Sequence, residues 1–202
     1  NLPIQPGAEP APFAFAPRMA LVYALFFAHV GLFPPYFPIW LQSRGLGADE
    51  IATILALPLV LRIATSGQIS ALADRVSDRA HVLIALFGGS ALFVGLFPFV
   101  NGFWPILAVA LALAFFSNPI QPVTDSIALS GVRRFGFDYG RIRLWGSVVF
   151  ILTNLAGGAI LARLGPDAMM AALIGLALLG FAAAPLIPRL GRPRRPASGL
   201  EL

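Results

Sequence analysis

Hydrophobic positions in this 202-residue chain gather into six long runs, at residues 19–41, 51–72, 81–100, 103–129, 144–161 and 167–187. Each run is close to the ~20 residues that carry a helix across ~30 Å of hydrocarbon. Short connectors separate them, among them Ser43-Arg44-Gly45-Leu46-Gly47, Asn101-Gly102 and Arg163-Leu164-Gly165-Pro166. The pattern predicts an all-α integral membrane protein with six transmembrane helices. Residues 1–17, rich in Pro and Ala, read as a flexible tail, 18–188 as the transmembrane bundle, and 189–202 as the start of a basic cytoplasmic linker. The run from Met19 is too long for the apolar core of a signal peptide, so it is a span.

Composition sharpens this picture. The chain is 58% hydrophobic and 11% charged, with a mean hydropathy of +0.83, whereas a soluble domain carries about 25% charged residues. With no cysteine, disulfide scaffolds, thiolate metal sites and cysteine nucleophiles are excluded. The net charge of +5 comes entirely from arginine. The arginines lie between apolar runs and not on one polar face, which argues against a nucleic-acid partner and for a lipid bilayer. Eleven of the 14 fall on one side of the predicted spans, Arg44 and Arg163 on the other, and Arg62 inside the second span. The arginine-rich side is therefore cytoplasmic. An even number of spans then places both termini there as well.

Proline and glycine interrupt the spans, at Gly31, Pro34, Pro35 and Pro38 in the first, Pro58 in the second, Pro119 and Pro122 in the fourth, and Gly146, Gly157 and Gly158 in the fifth. Each proline removes a helical hydrogen bond and bends the helix, which a membrane tolerates where neighbours or a wet cavity satisfy the freed carbonyls. Spans one and four occupy corresponding positions if the six form a 3+3 inverted repeat around a central cavity.

Polar side chains inside the spans are the candidate chemistry. A charge near the bilayer centre costs roughly 2.5–3.5 kcal/mol on insertion scales. Asp125 shares a helical stripe with Asn118 and Gln121, so the three should face a wet interior and bind solute, or else knit helices together. On the fifth span Arg143, Ser147, Phe150 and Asn154 share a face. Arg143 suits either a positive-inside anchor or a ligand-binding group. Arg62 could neutralise a buried acid or attract an anionic solute. On the first span His29, Phe33, Tyr36 and Trp40 form a stripe. Trp40 reads as an interfacial anchor, while His29 is either a titrating group or a core hydrogen-bonding residue. His81 is assigned no chemistry, and no metal site is expected.

The loops carry a resemblance. Between spans two and three, Ser70-Ala71-Leu72-Ala73-Asp74-Arg75-Val76-Ser77-Asp78-Arg79-Ala80 resembles the cytoplasmic signature of the major facilitator superfamily. Asp74, Arg75 and Arg79 match; Ser70 and Ser77 replace glycines, and Ala80 the last base. The stretch Arg133-Arg134-Phe135-Gly136-Phe137-Asp138-Tyr139-Gly140-Arg141-Ile142-Arg143-Leu144-Trp145-Gly146 is similar to the fifth-helix start of that superfamily's lactose permease and phenylpropionate permease branches. In the lactose permease branch an acid and an arginine 18 positions apart bind the sugar. Asp125 and Arg143 stand 18 apart here, while Phe150 replaces the tryptophan that stacks on the sugar.

The resemblance implies the N-terminal half of a twelve-helix, proton-coupled symporter working by alternating access in the bacterial inner membrane. It needs no cofactor beyond the proton gradient. Its partners are a small solute (an aromatic acid, nucleoside or sugar) and a C-terminal six-helix half or a second copy of the chain. Asp125, Arg143, Asn118, Gln121, Phe150, Arg62, His29 and Tyr36 are then the expected substrate-binding residues. Asp74, Arg75 and Arg79 are the expected cytoplasmic gate. Two other classes compete with this one. An intramembrane serine hydrolase would use a turn at Gly88-Gly89-Ser90 with His29 or His81 as base, and a scaffold subunit would transport nothing.

Overall fold

A computed structural model of the chain describes residues 11–75 and 79–190, the side chains of 63–78 excepted. The described residues are helical throughout: α1 (Phe15–Ser43), α2 (Ala48–Arg75), α3 (Arg79–Leu96), α4 (Phe103–Ser117), α5 (Ile120–Phe135) and α6 (Tyr139–Ala183). Short 3-10 turns follow α3 and α6. Among the described residues four stretches are long and apolar enough to cross a membrane: Phe15–Ser43, Arg79–Phe99, Phe103–Phe135 and Tyr139–Leu186.

Two differences separate these four from the six expected spans: α2 (Ala48–Arg75), which holds the expected second span, is not among them, and the fifth and sixth runs form one helix, α6. Its 45 residues would extend roughly 68 Å if straight, more than twice the hydrocarbon thickness. A single residue breaks it, Gly165 at φ 83° and ψ −178°. The expected four-residue connector Arg163–Pro166 is therefore helical except at Gly165. Glycine alone visits that conformation at no steric cost, and Pro166 can open the second arm because the first turn of a helix has no use for its missing N–H. The fourth run is bent instead. Prolines at 119 and 122 interrupt the ladder, so α4 ends at Ser117 and α5 begins at Ile120.

The predicted tail also requires correction, since α1 begins inside it. Phe15 is buried and its ring stacks on Phe137 at 5.2 Å. Gly131 on α5 leaves the space that the Phe15 ring fills. This aromatic anchor sets the start of the helix three residues, just under one turn, before Arg18, the first basic residue.

Helix ends follow their sequences. After α1, the Leu46 N–H bonds the Leu41 carbonyl at 3.4 Å and the Gly45 N–H bonds that of Gln42 at 3.0 Å. With Gly45 left-handed at φ 80° and Leu41 and Leu46 both buried, this is a complete Schellman stop. Glu50 reaches back to the Gly47 N–H at 2.9 Å and, with Asp49, complements the start of α2. Left-handed Gly136 ends α5, and Asp138 opens α6 by accepting the Arg141 N–H at 3.2 Å.

Packing divides into two apolar clusters along the bundle. One gathers Phe37, Trp40, Phe97, Ile106 and Met169 where α1 ends. The other gathers Phe15, Met19, Tyr23, Leu83, Ile127 and Ile142 where α1 begins. α1 lies chiefly against α6, and α3 bridges α4 to α6. Glycines permit the close approach: a Cβ at Gly146 would strike the Phe27 ring at 2.6 Å, and one at Gly157 the Tyr36 ring.

Candidate functional site

The candidate site is assembled where α1, α5 and α6 converge. Asp125, in the second turn of α5, accepts two phenolic hydrogen bonds on the same oxygen. Tyr23 of α1 donates to Oδ1 at 2.5 Å and Tyr139 of α6 at 2.9 Å. Arg143, one helical turn beyond Tyr139, donates from Nη1 to the Tyr139 hydroxyl at 3.2 Å. Acid and guanidinium are thus brought together through one phenol. They form no direct ion pair. The Arg143 guanidinium also lies 5.9 Å from the ring centres of both Phe27 and Tyr139, within cation–π range. Tyr23 is fully buried, whereas Asp125, Tyr139 and Arg143 are each half-buried.

Two of these four residues were not singled out from the sequence. Tyr23 sits in an aromatic run, and Tyr139 is the first residue of α6. A usable signal existed. The chain has three tyrosines, and a hydroxyl carried into apolar surroundings needs a partner. All three donate to another helix.

The other expected site residues scatter around this cluster. Gln121 is half-buried, one turn before Asp125, and is not hydrogen-bonded to the cluster. Asn118 lies at the α4–α5 break with its Nδ2 buried and unpartnered. His29 stacks on Phe33 at 5.5 Å, and its Nδ1 is likewise buried without a partner. Phe150 is 36% exposed, two turns beyond Arg143 on α6. Arg62 is exposed on α2.

Tyr36 is engaged elsewhere. Its hydroxyl donates to the Asn154 carbonyl at 2.6 Å, and the Asn154 amide donates to the Gly31 carbonyl at 3.3 Å. That carbonyl is the one whose helical partner Pro35 lacks, so α6 repairs the ladder that proline broke.

On the expected gate, Arg79 opens α3 and donates to Ser130 of α5 at 3.4 Å. The side chains of Asp74 and Arg75 lie outside the described residues. The hydrolase geometry fails. Gly88, Gly89 and Ser90 are continuous α3 helix, not a turn, and the buried Ser90 hydroxyl has no hydrogen-bond partner to act as a base. Among the described residues no group of His, Asp and Glu could hold a metal ion.

Family comparison agrees with the loops. A family model described as the MFS_1 like family matches residues 17–190, and the chain belongs to that family. With its apolar spans, this makes it an integral membrane protein of the major facilitator superfamily. Curated relatives carry transporter and permease names. The chain is 32% identical over 189 residues to a probable 3-phenylpropionic acid transporter of Escherichia coli (strain K12), covering 89% of this chain and 48% of that protein. It is 31% identical over 137 residues to a maltose permease of Geobacillus stearothermophilus, covering 67% and 34%. It is 27% identical over 139 residues to a lactose permease of Citrobacter freundii, covering 63% and 33%. The chain therefore spans about half the length, or less, of these relatives.

Proposed function

We propose that this chain is half of a proton-coupled secondary transporter that carries a small organic solute by alternating access. The likeness in half-length to a protein named as a 3-phenylpropionic acid transporter supports an aromatic acid as cargo. The sugar permeases keep sugars within the class, and a relative named as a putative nucleoside transporter keeps nucleosides there. On this reading α6 crosses twice, turning at Gly165, and α4–α5 is one bent span. The six crossings form a 3+3 inverted repeat in the inner membrane with both termini cytoplasmic. A second six-helix half, or a second copy of the chain, completes the pathway and rocks against this one. Asp125 and Arg143 hold the cargo, with Asn118, Gln121, Phe150, Arg62 and His29 around it, and Asp74, Arg75 and Arg79 latch the cytoplasmic side.

One observation carries the proposal. An acid from α5 and a guanidinium from α6 meet across a single hydroxyl inside the bundle, and charges within membrane spans are costly groups that mark solute or proton pathways. The experiment is Asp125→Asn in the complete carrier. Uptake should be abolished while membrane expression stays intact. Uptake at the wild-type rate would refute the assignment.

A further inference from the structure

The Asp125 cluster is arranged to stay open. Both phenols converge on Oδ1, and no described residue donates to Oδ2. Arg143 commits one N–H, from Nη1, to Tyr139. An arginine and a carboxylate free to meet close a bidentate pair, which neutralises both and satisfies their strongest hydrogen-bonding edges. Here the Tyr139 hydroxyl stands between them, donating to one and accepting from the other.

We infer that Tyr139 is a positioning residue whose hydroxyl holds Asp125 and Arg143 apart, so that both remain available to cargo. This rests on the reading of that pair as the solute site. It adds a chemical restriction. While Asp125 is ionised, a cargo group lodged between Oδ2 and the free guanidinium N–H groups must donate to the first and accept from the second, as a hydroxyl or an un-ionised carboxyl does and a bare carboxylate does not.

The test is the rate at which a hydrophobic carbodiimide modifies Asp125 in the full chain in lipid nanodiscs, read by mass spectrometry. Modification needs an accessible carboxyl that is not locked in an ion pair. Tyr139→Phe keeps the ring and removes the spacer, so Arg143 closes on Asp125 and labelling slows about tenfold, in line with a charge-assisted pair. Tyr139→Phe combined with Arg143→Gln leaves no guanidinium to close, and labelling returns to the wild-type rate or above. Tyr23→Phe removes a donor from Oδ1 without touching the spacer, and labelling does not slow.

Tyr139→Phe labelling as fast as wild type overturns the inference. So does a double variant that stays slow, because the loss then reflects disturbed packing. Slow labelling in Tyr23→Phe overturns it as well. The readout needs no transport, so failure of Asp125→Asn to abolish uptake would remove the solute site and leave the spacer geometry independently judged.

Discussion

The interface of α1 with the first arm of α6 closes its polar groups on themselves, whereas the Asp125 cluster, ~20 Å away along α1 by helical rise, does not. In the first region Tyr36 donates to Asn154, Asn154 donates to Gly31, and the carbonyl stranded by Pro35 is satisfied. In the second, a carboxylate oxygen and most of a guanidinium have no helix to answer them. Both regions place polar atoms in apolar spans, where an unanswered group is costly. Closed networks are explained by folding alone. An open one leaves an acid and a guanidinium with hydrogen-bonding capacity to spare, and that spare capacity identifies the place where a solute is expected. Damage to the first region, the Tyr36–Asn154–Gly31 clasp, should therefore register as stability, and damage to the Asp125 cluster as transport.

The largest effect in this comparison is expected from Gly31→Val. A Cβ there meets the Phe150 carbonyl at 2.8 Å as well as the Thr153 hydroxyl, and neither backbone can yield without separating α1 from α6. Overpacking of this kind costs about 3 kcal/mol. The apparent melting temperature in detergent should drop well below that of wild type. Asp125→Asn keeps the size of the side chain and should leave that temperature nearly unchanged. If the two variants melted alike, the division between a structural and a functional region would fail.

Smaller effects should come from the clasp's hydrogen bonds. Asn154→Leu strands the Gly31 carbonyl, and Tyr36→Phe removes one donor while keeping the ring packed on Gly157. Interhelical bonds in membranes are worth about 0.6 kcal/mol on average and up to ~1.7. Asn154→Leu should approach the upper figure and Tyr36→Phe the lower one, as measured by thermal unfolding. Uptake by Tyr36→Phe should stay near wild type. A sharp rise in its KM would instead return Tyr36 to the solute site.

The apolar runs made the helices legible because twenty-residue hydrophobic stretches have few other fates. The breaks were less legible. Gly165 does in one residue what the sequence assigns to a four-residue connector, and Phe15 joins the core from within a Pro- and Ala-rich segment that reads as a tail. Asp125 and Arg143 stood out because a charge within or beside a span is conspicuous on its stripe. Tyr23 and Tyr139 did not, since a phenol is counted as hydrophobic and its hydroxyl acquires meaning when another helix presents an acceptor. Spacing puts Asn154 on the Arg143 stripe, yet its role depends on Pro35 more than a hundred positions earlier. No periodicity within one helix reveals such a pairing.

The smallest expected effect lies at the α1–α2 turn, where Arg44 pairs with Asp167 at 2.8 Å and ties that turn to the second arm of α6. Asp167 is 82% exposed at its side chain and Arg44 29%, so solvent and salt screen much of the attraction. Asp167→Asn should cost no more than a few tenths of a kcal/mol, within the range of exposed pairs. Arg44 also lies 4.8 Å over the Trp40 ring, a contact worth about 0.5–1 kcal/mol at such sites. Arg44→Ala should therefore destabilise more than Asp167→Asn, and raising ionic strength should erase the second cost but not the first. Equal losses, both removed by salt, would show that the ring contributes nothing. That would leave the α1–α2 turn held by charge alone, unlike either of the other polar regions.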